Sequence, residues 1–104
     1  MFRVIVTLLV FLCTAANASE PVVVGQKDKK FTVQEVDVKV GDSVRFLNED
    51  PFFHNVFSLS DAALFDLGSF PQGEHRDVTF EEAGTVEVEC AIHPSMKMVI
   101  NVKE

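Results

Sequence analysis

From residue 20 onward, apolar and polar side chains alternate in short runs separated by turn residues. Period two is the signature of strands with one face buried. Pro21 to Val24 is a β-branched run closed by Gly25, and Gln26 to Lys30 reads as a polar surface turn before Phe31 and Val33 reopen an extended segment. Val36, Val38 and Val40 alternate with Asp37 and Lys39, and Gly41-Asp42 makes the turn into Val44, Phe46 and Asn48. Glu49-Asp50-Pro51 ends that strand, and Phe52 to Leu59 predicts another. Asp77 to Phe80, Thr85 to Cys90 and Lys97 to Lys103 complete the pattern. One segment differs: Asp61 to Phe65 suits a single helical turn capped by Ser60 or Asp61, and Gly68, Pro71 and Gly73 stop anything longer. Seven or eight short strands with almost no helix predict an all-β protein, a two-sheet antiparallel Greek-key β-sandwich.

The first eighteen residues stand apart from this pattern. Arg3 gives a positive start, Val4 to Leu12 is apolar except for Thr7, and Ala16-Asn17-Ala18 is a small-residue cleavage site. That is the anatomy of a secretory signal peptide cleaved between Ala18 and Ser19, leaving one domain over residues 19–104. The run from Val4 to Leu12 is far short of the roughly 20 apolar residues a membrane span needs, so no stable membrane insertion is expected. A buried N-terminal strand and a lipid-modified Cys13 are the other readings of the segment. An exported, periplasmic location follows from the first.

Cleavage would leave 86 of the 104 residues and one of the two cysteines, Cys90. A domain of that size buries little surface, and a bound metal would help hold it together. In an oxidising compartment cysteines normally pair, so an unpaired one calls for another use. The formal charge of −7 becomes −8 without Arg3. Too few cations remain to neutralise phosphates, which excludes nucleic acid as a partner. An acidic surface instead favours solubility and encounter with basic proteins.

Cys90-Ala91-Ile92-His93-Pro94-Ser95-Met96 sets a thiolate, an imidazole and a thioether at the spacing Cys-x-x-His-x-x-Met. Core packing does not call for that trio, whereas copper does: soft sulfur donors favour it, and imidazole suits both of its oxidation states. His54, 36 positions before Cys90, is the candidate fourth ligand. Alternation puts Val86, Val88 and Cys90 on one face, so the thiolate of Cys90 points inward at a strand end. His93 then lies at the loop apex with a ring edge toward solvent, and Pro94 stiffens the loop. Two histidines, one cysteine and a weak axial methionine make a blue-copper electron-transfer site. Asn55 is placed to tie the strand of His54 to the loop of Cys90, although Asn at a strand end is also a common turn former. The ten phenylalanines fill the core; of Phe52, Phe53 and Phe57 around His54, one is a candidate to keep water from the metal.

These motifs resemble the cupredoxins, small blue copper proteins of the plastocyanin and amicyanin kind. The resemblance covers Val38 to Asn48 (Val-x-Val-Gly-Asp-Ser-Val-Arg-Phe-x-Asn), His54-Asn55-Val56, Phe80 with Ala83-Gly84-Thr85, and the Cys90 to Met96 loop, whose short spacing is of the amicyanin type. It implies one copper per chain, cycling between Cu2+ and Cu+, with His54, Cys90 and His93 equatorial and Met96 axial. Asn55 would be the tie behind the ligands, and the exposed edge of His93 the electron port. The protein is expected to be a monomer and not an enzyme, and the exposed site with its acidic surroundings would meet redox partners such as a c-type cytochrome or a dehydrogenase transiently. Two positions depart from the family pattern. Val86, Val88 and Glu89 stand where relatives carry aromatics, and Met98 stands where glycine is frequent.

Zinc is a weaker match because methionine ligates it poorly, and the Cys-x-x-Cys-His of covalent haem attachment is absent. A Cys–His nucleophile lacks an orienting group and an oxyanion hole. Two other jobs remain open on the same fold: a periplasmic copper carrier or delivery protein, and a subunit of a larger copper oxidase. His75 lies in a polar stretch and is expected to face solvent.

Overall fold

The computed structural model describes residues 20–104, and the predicted signal segment, residues 1–18, lies outside them. Among the described residues nine strands follow one another: β1 Val22–Lys27, β2 Lys30–Phe31, β3 Glu35–Lys39, β4 Ser43–Asn48, β5 His54–Ser60, β6 Ala63–Phe70, β7 His75–Thr79, β8 Gly84–Glu89 and β9 Lys97–Lys103. No helix occurs among the described residues. The strands form a four-stranded sheet of order β2-β1-β4-β7 and a five-stranded sheet of order β3-β9-β8-β5-β6. The sandwich is the expected one, but the sheets are mixed. β1 runs parallel to β4 and β3 parallel to β9, while the remaining pairs are antiparallel. Alternation reports which face of a strand is buried and is silent on the direction of its neighbour, so these parallel pairs had no signature in the chain.

Period two places the core. In β4, Val44, Phe46 and Asn48 turn inward; in β8, Val86 and Val88 do so, followed by Cys90; in β9, Met98, Ile100 and Val102. Phe31, Phe70 and Phe80 close the space between the sheets. Met98 is therefore core, as its position in β9 suggests.

Two segments depart from expectation. Instead of a helical turn, Asp61 and Ala62 form a two-residue turn, and β6 pairs with β5 from Ser60↔Ala63 onward. Ala63, Phe65 and Leu67 pack against the core while Leu64 and Asp66 face out, a period of two that helix propensity could not override. The segment read as a polar turn is partly strand, since β1 continues to Lys27 and Gln26 is fully buried, its Nε2 donating to the Asn55 carbonyl at 3.4 Å. The turn itself is Asp28-Lys29, both left-handed at φ +54° and +57°. That matches the twist of a two-residue hairpin, at a cost of about 1–2 kcal/mol for each non-glycine residue.

The pairing that matters for function joins β5 to β8 at Phe57↔Glu89. It brings the start of β5 and the end of β8 to the same pole of the sandwich, so His54 and Cys90 meet. A register shift between Asn55 and Phe57 against β6 marks a bulge beside them. Bulges re-aim neighbouring side chains, and here three consecutive residues, His54, Asn55 and Val56, are all buried.

Candidate metal centre

Cys90 directly follows β8 with 1% of its surface exposed and is not part of a disulfide. The loop that follows is closed on itself: the Cys90 amide donates to the Met96 carbonyl at 3.3 Å, and the Met96 amide to the His93 carbonyl at 2.9 Å. His93 is thereby held above the thiol, and Met96 is buried where the chain returns into β9. His54 enters from β5 with no exposed surface.

Sγ of Cys90 lies 3.8 Å from Nδ1 of His54 and 4.0 Å from Nδ1 of His93, and all three donor atoms fall within 4.8 Å of one another. A first-row metal ion bonded to imidazole at about 2.0–2.1 Å and to thiolate at about 2.3 Å holds such atoms roughly 3.5–4 Å apart. The spacing fits one shared ion, and one thiolate with two imidazoles is a donor set that suits copper.

Asn55 bridges the two segments. Its Oδ1 accepts from the Ala91 amide at 3.2 Å, its Nδ2 donates to Asp66 at 3.0 Å, and its own backbone N–H points at the Cys90 sulfur at 3.4 Å. The strand bearing His54 and the loop bearing Cys90 are thus tied by side chain and backbone together.

Three residues near the centre have roles that the sequence did not single out. Asn48, buried at the end of β4, donates to the carbonyls of Phe52 and Phe70 at 2.8 and 2.9 Å and accepts the Asp50 amide at 2.8 Å, which shapes the segment leading to His54. Of the three candidate phenylalanines, Phe52 packs against both imidazoles. Its ring centre lies 5.2 Å from that of His54 and 5.3 Å from that of His93, the two imidazoles being 5.0 Å apart. Phe53, by contrast, is half exposed. Asp50 is buried with its Oδ2 2.6 Å from Nε2 of His54. Burial pushes the Asp50 carboxyl up. Hydrogen bonds from His54 and from the amides of Lys29 and Asp28, with positive charge at His54, prevail and hold it below the usual carboxylate value. A carboxylate only accepts, so Nε2 of His54 carries the proton of this contact, and in the neutral ring Nδ1, the nitrogen facing Cys90, then holds the lone pair. Its position four residues before a histidine is the only sign of this role that the chain carries.

His93 differs from His54 in being partly exposed. Burial pushes its imidazole down, positive charge at His54 and Lys29 pushes the same way, and Asp50 opposes them. Beside it in the loop Ala91, Ile92 and Pro94 are exposed. His75 lies exposed on β7, outside the centre.

Comparison with known proteins agrees with this geometry. Residues 18–103 match the family model for copper binding proteins of the plastocyanin/azurin family. Amicyanin of Paracoccus denitrificans is 36% identical over 88 residues, covering 80% of this chain and 66% of amicyanin. The methylamine utilization protein MauL of Methylorubrum extorquens is 32% identical over 65 residues, covering 62% of this chain and 57% of MauL. The chain thus spans 66% of the length of that amicyanin and 57% of that of MauL. Among solved structures, a reduced amicyanin variant superposes with a TM-score of 0.76 at 30% identity, covering 86% of this chain and 88% of its own. A copper-containing nitrite reductase of Thermus scotoductus reaches 0.77 at 29% identity, but only 23% of its chain is matched. A match running through nearly every described residue, over a site whose donors fit the metal, places the chain in the plastocyanin/azurin family of copper binding proteins.

Proposed function

We propose that the protein is a blue copper electron carrier of the periplasm, exported by a signal peptide over residues 1–18, and not an enzyme. The observation that carries this reading is the convergence of His54 Nδ1, Cys90 Sγ and His93 Nδ1 in a pocket where only His93 is partly exposed. His54, Cys90 and His93 would hold the ion, with Met96 as a weaker fourth donor. Copper bound there supplies a one-electron couple between Cu2+ and Cu+.

The chain's own part is to keep that pocket constant. The hydrogen-bonded Cys90 to Met96 loop, the Asn55 tie and the Asn48 framework fix the donors from three directions. Phe52 covers the two imidazoles and excludes water. A pocket that resists change between oxidation states keeps reorganisation small, which a carrier needs. The edge of His93 is the exit for the electron, and Ala91, Ile92 and Pro94 form the apolar surface a partner would cover. Such redox encounters use small interfaces, below about 1,200 Å². The partner is a c-type cytochrome or a dehydrogenase, met transiently by a monomer. Similarity to amicyanin and to a methylamine utilization protein supports an amine-oxidising dehydrogenase as the donor.

The deciding experiment is a visible and EPR spectrum of the protein loaded with Cu2+. Intense blue thiolate-to-copper absorption that bleaches and returns on reversible reduction is the expected result. A colourless protein that holds only Cu+ and releases it readily would make it a copper carrier instead, and stable co-purification with a catalytic subunit would make it part of an oxidase. Burial of Cys90 and His54 argues against ready exchange.

With a formal charge of −8 once residues 1–18 are removed, encounter with a basic partner is steered electrostatically. The bimolecular rate is expected to fall about tenfold as salt rises from ~0.01 M to ~0.5 M. Stopped-flow kinetics with a basic cytochrome measure this, and a rate indifferent to salt removes the steering.

A further inference from the structure

Asp50 lies outside the donor set yet touches one of its members. Its carboxylate collects three N–H groups: the Asp28 amide on Oδ1 at 2.7 Å, the Lys29 amide on Oδ2 at 3.1 Å, and Nε2 of His54 on Oδ2 at 2.6 Å. The side chains of Asp50 and His54 are 5% and 0% exposed, so water screens this pair little. Both amides belong to the left-handed Asp28-Lys29 turn, whose successive N–H groups converge as an anion-binding concavity. The Lys29 ammonium lies 5.6 Å from the centre of the Phe52 ring, which covers both imidazoles. One strained hairpin turn thus grips the back of the centre at two points.

We propose that the β1–β2 turn and Asp50 form a single device that sets the copper potential. The turn holds a full negative charge against the far nitrogen of His54, which favours the more highly charged Cu2+ over Cu+. This rests on the reading of His54 as a copper ligand through Nδ1. An anion hydrogen-bonded to the distal N–H makes the ligating nitrogen a stronger donor and fixes the ring. The fixed charge also acts directly on the ion through a medium of low polarisability. Only a carboxylate satisfies the site. Asparagine has one acceptor oxygen, so its amide NH2 would confront either the Asp28 amide or the pair formed by Lys29 and His54. The three-donor geometry therefore selects a charge, not merely a polar side chain, and it gives the unfavourable φ values of the turn a purpose.

The test compares midpoint potentials of the copper-loaded wild type, Asp50→Asn and Asp28→Asn, titrated against the thiolate–copper absorption. Asp50→Asn is expected to shift the couple at least tenfold toward Cu+, a rise of about 59 mV. Asp28→Asn removes a nearby charge but keeps all three hydrogen bonds, and is expected to shift it less than about threefold, well short of what breaking a ligand's hydrogen bond does. A potential unchanged in Asp50→Asn, or equal shifts in the two variants, overturns the proposal. Nitrogen NMR of the copper-free wild type at alkaline pH gives a reading that needs neither metal nor variant. His54 should carry its proton on Nε2, and a proton on Nδ1 would sink the device. A wild type that turns blue and cycles while Asp50→Asn is silent refutes the device alone; a wild type that never turns blue refutes the electron-carrier reading, and the copper-free spectrum still decides on Asp50.

Discussion

Cys90→Ala is expected to abolish the blue absorption and the narrow copper hyperfine pattern of the loaded protein while leaving it folded. The absorption is a transfer of charge from thiolate to copper, and Cys90 is the only cysteine among the described residues. Without it the pocket offers two imidazoles and a thioether, and affinity for copper should fall by more than the roughly 10–100-fold that follows loss of a ligand's hydrogen-bond partner. The structural penalty is smaller. Alanine suits a strand end with little space to fill, but the Asn55 amide loses its acceptor, which costs about 1–3 kcal/mol if it stays buried. Far-ultraviolet circular dichroism should therefore match the wild type. Should the variant stay blue, the sulfur of Cys90 is not a ligand and the electron-carrier reading fails with it.

Phe46→Ala should destabilise the copper-free protein by about 3–5 kcal/mol. The ring has no exposed surface, stands edge-on to Phe31 at 6.3 Å between centres, and sits in the central part of β4, which joins β1 to β7. Its removal leaves a cavity that neighbours on two sheets cannot close without moving both. Small domains have only about 5–15 kcal/mol in total, so the variant should be close to unfolding without metal. Copper that binds only the folded chain would, at 1,000 times its dissociation constant, restore about 4 kcal/mol. Urea unfolding with and without copper measures both effects, with the midpoint moving and the slope unchanged. A loss below about 1 kcal/mol would show that the core repacks freely, contrary to the interdigitated packing of protein interiors.

The centre was legible to different degrees residue by residue. Cys90, His93 and Met96 share one short loop, so their spacing alone announced them. His54 was found because a fourth donor was wanted and few histidines were available. Asn55 followed from His54, although strict alternation would have turned its side chain toward solvent; the bulge against β6 buries it under the ligand loop. Asp50 read as a strand-ending turn residue, and Phe52 could not be separated from Phe53 and Phe57. Their roles depend on distances to Asp28, Lys29 and His93, residues that nothing in the local pattern connects to them.

The same division holds for the fold. Short-range chemistry determined the strands, their buried faces and the donor types, because side-chain period and metal preference are properties of neighbours in the chain. What only the tertiary structure decided was the company those strands keep. β1 beside β4 and β3 beside β9 in parallel, β6 in place of a helical turn, and a hairpin turn closing on Asp50 are all long-range choices. Each reflects the packing of two sheets against each other, a free energy shared among segments far apart in the chain. No window of sequence contains both sides of such a contact.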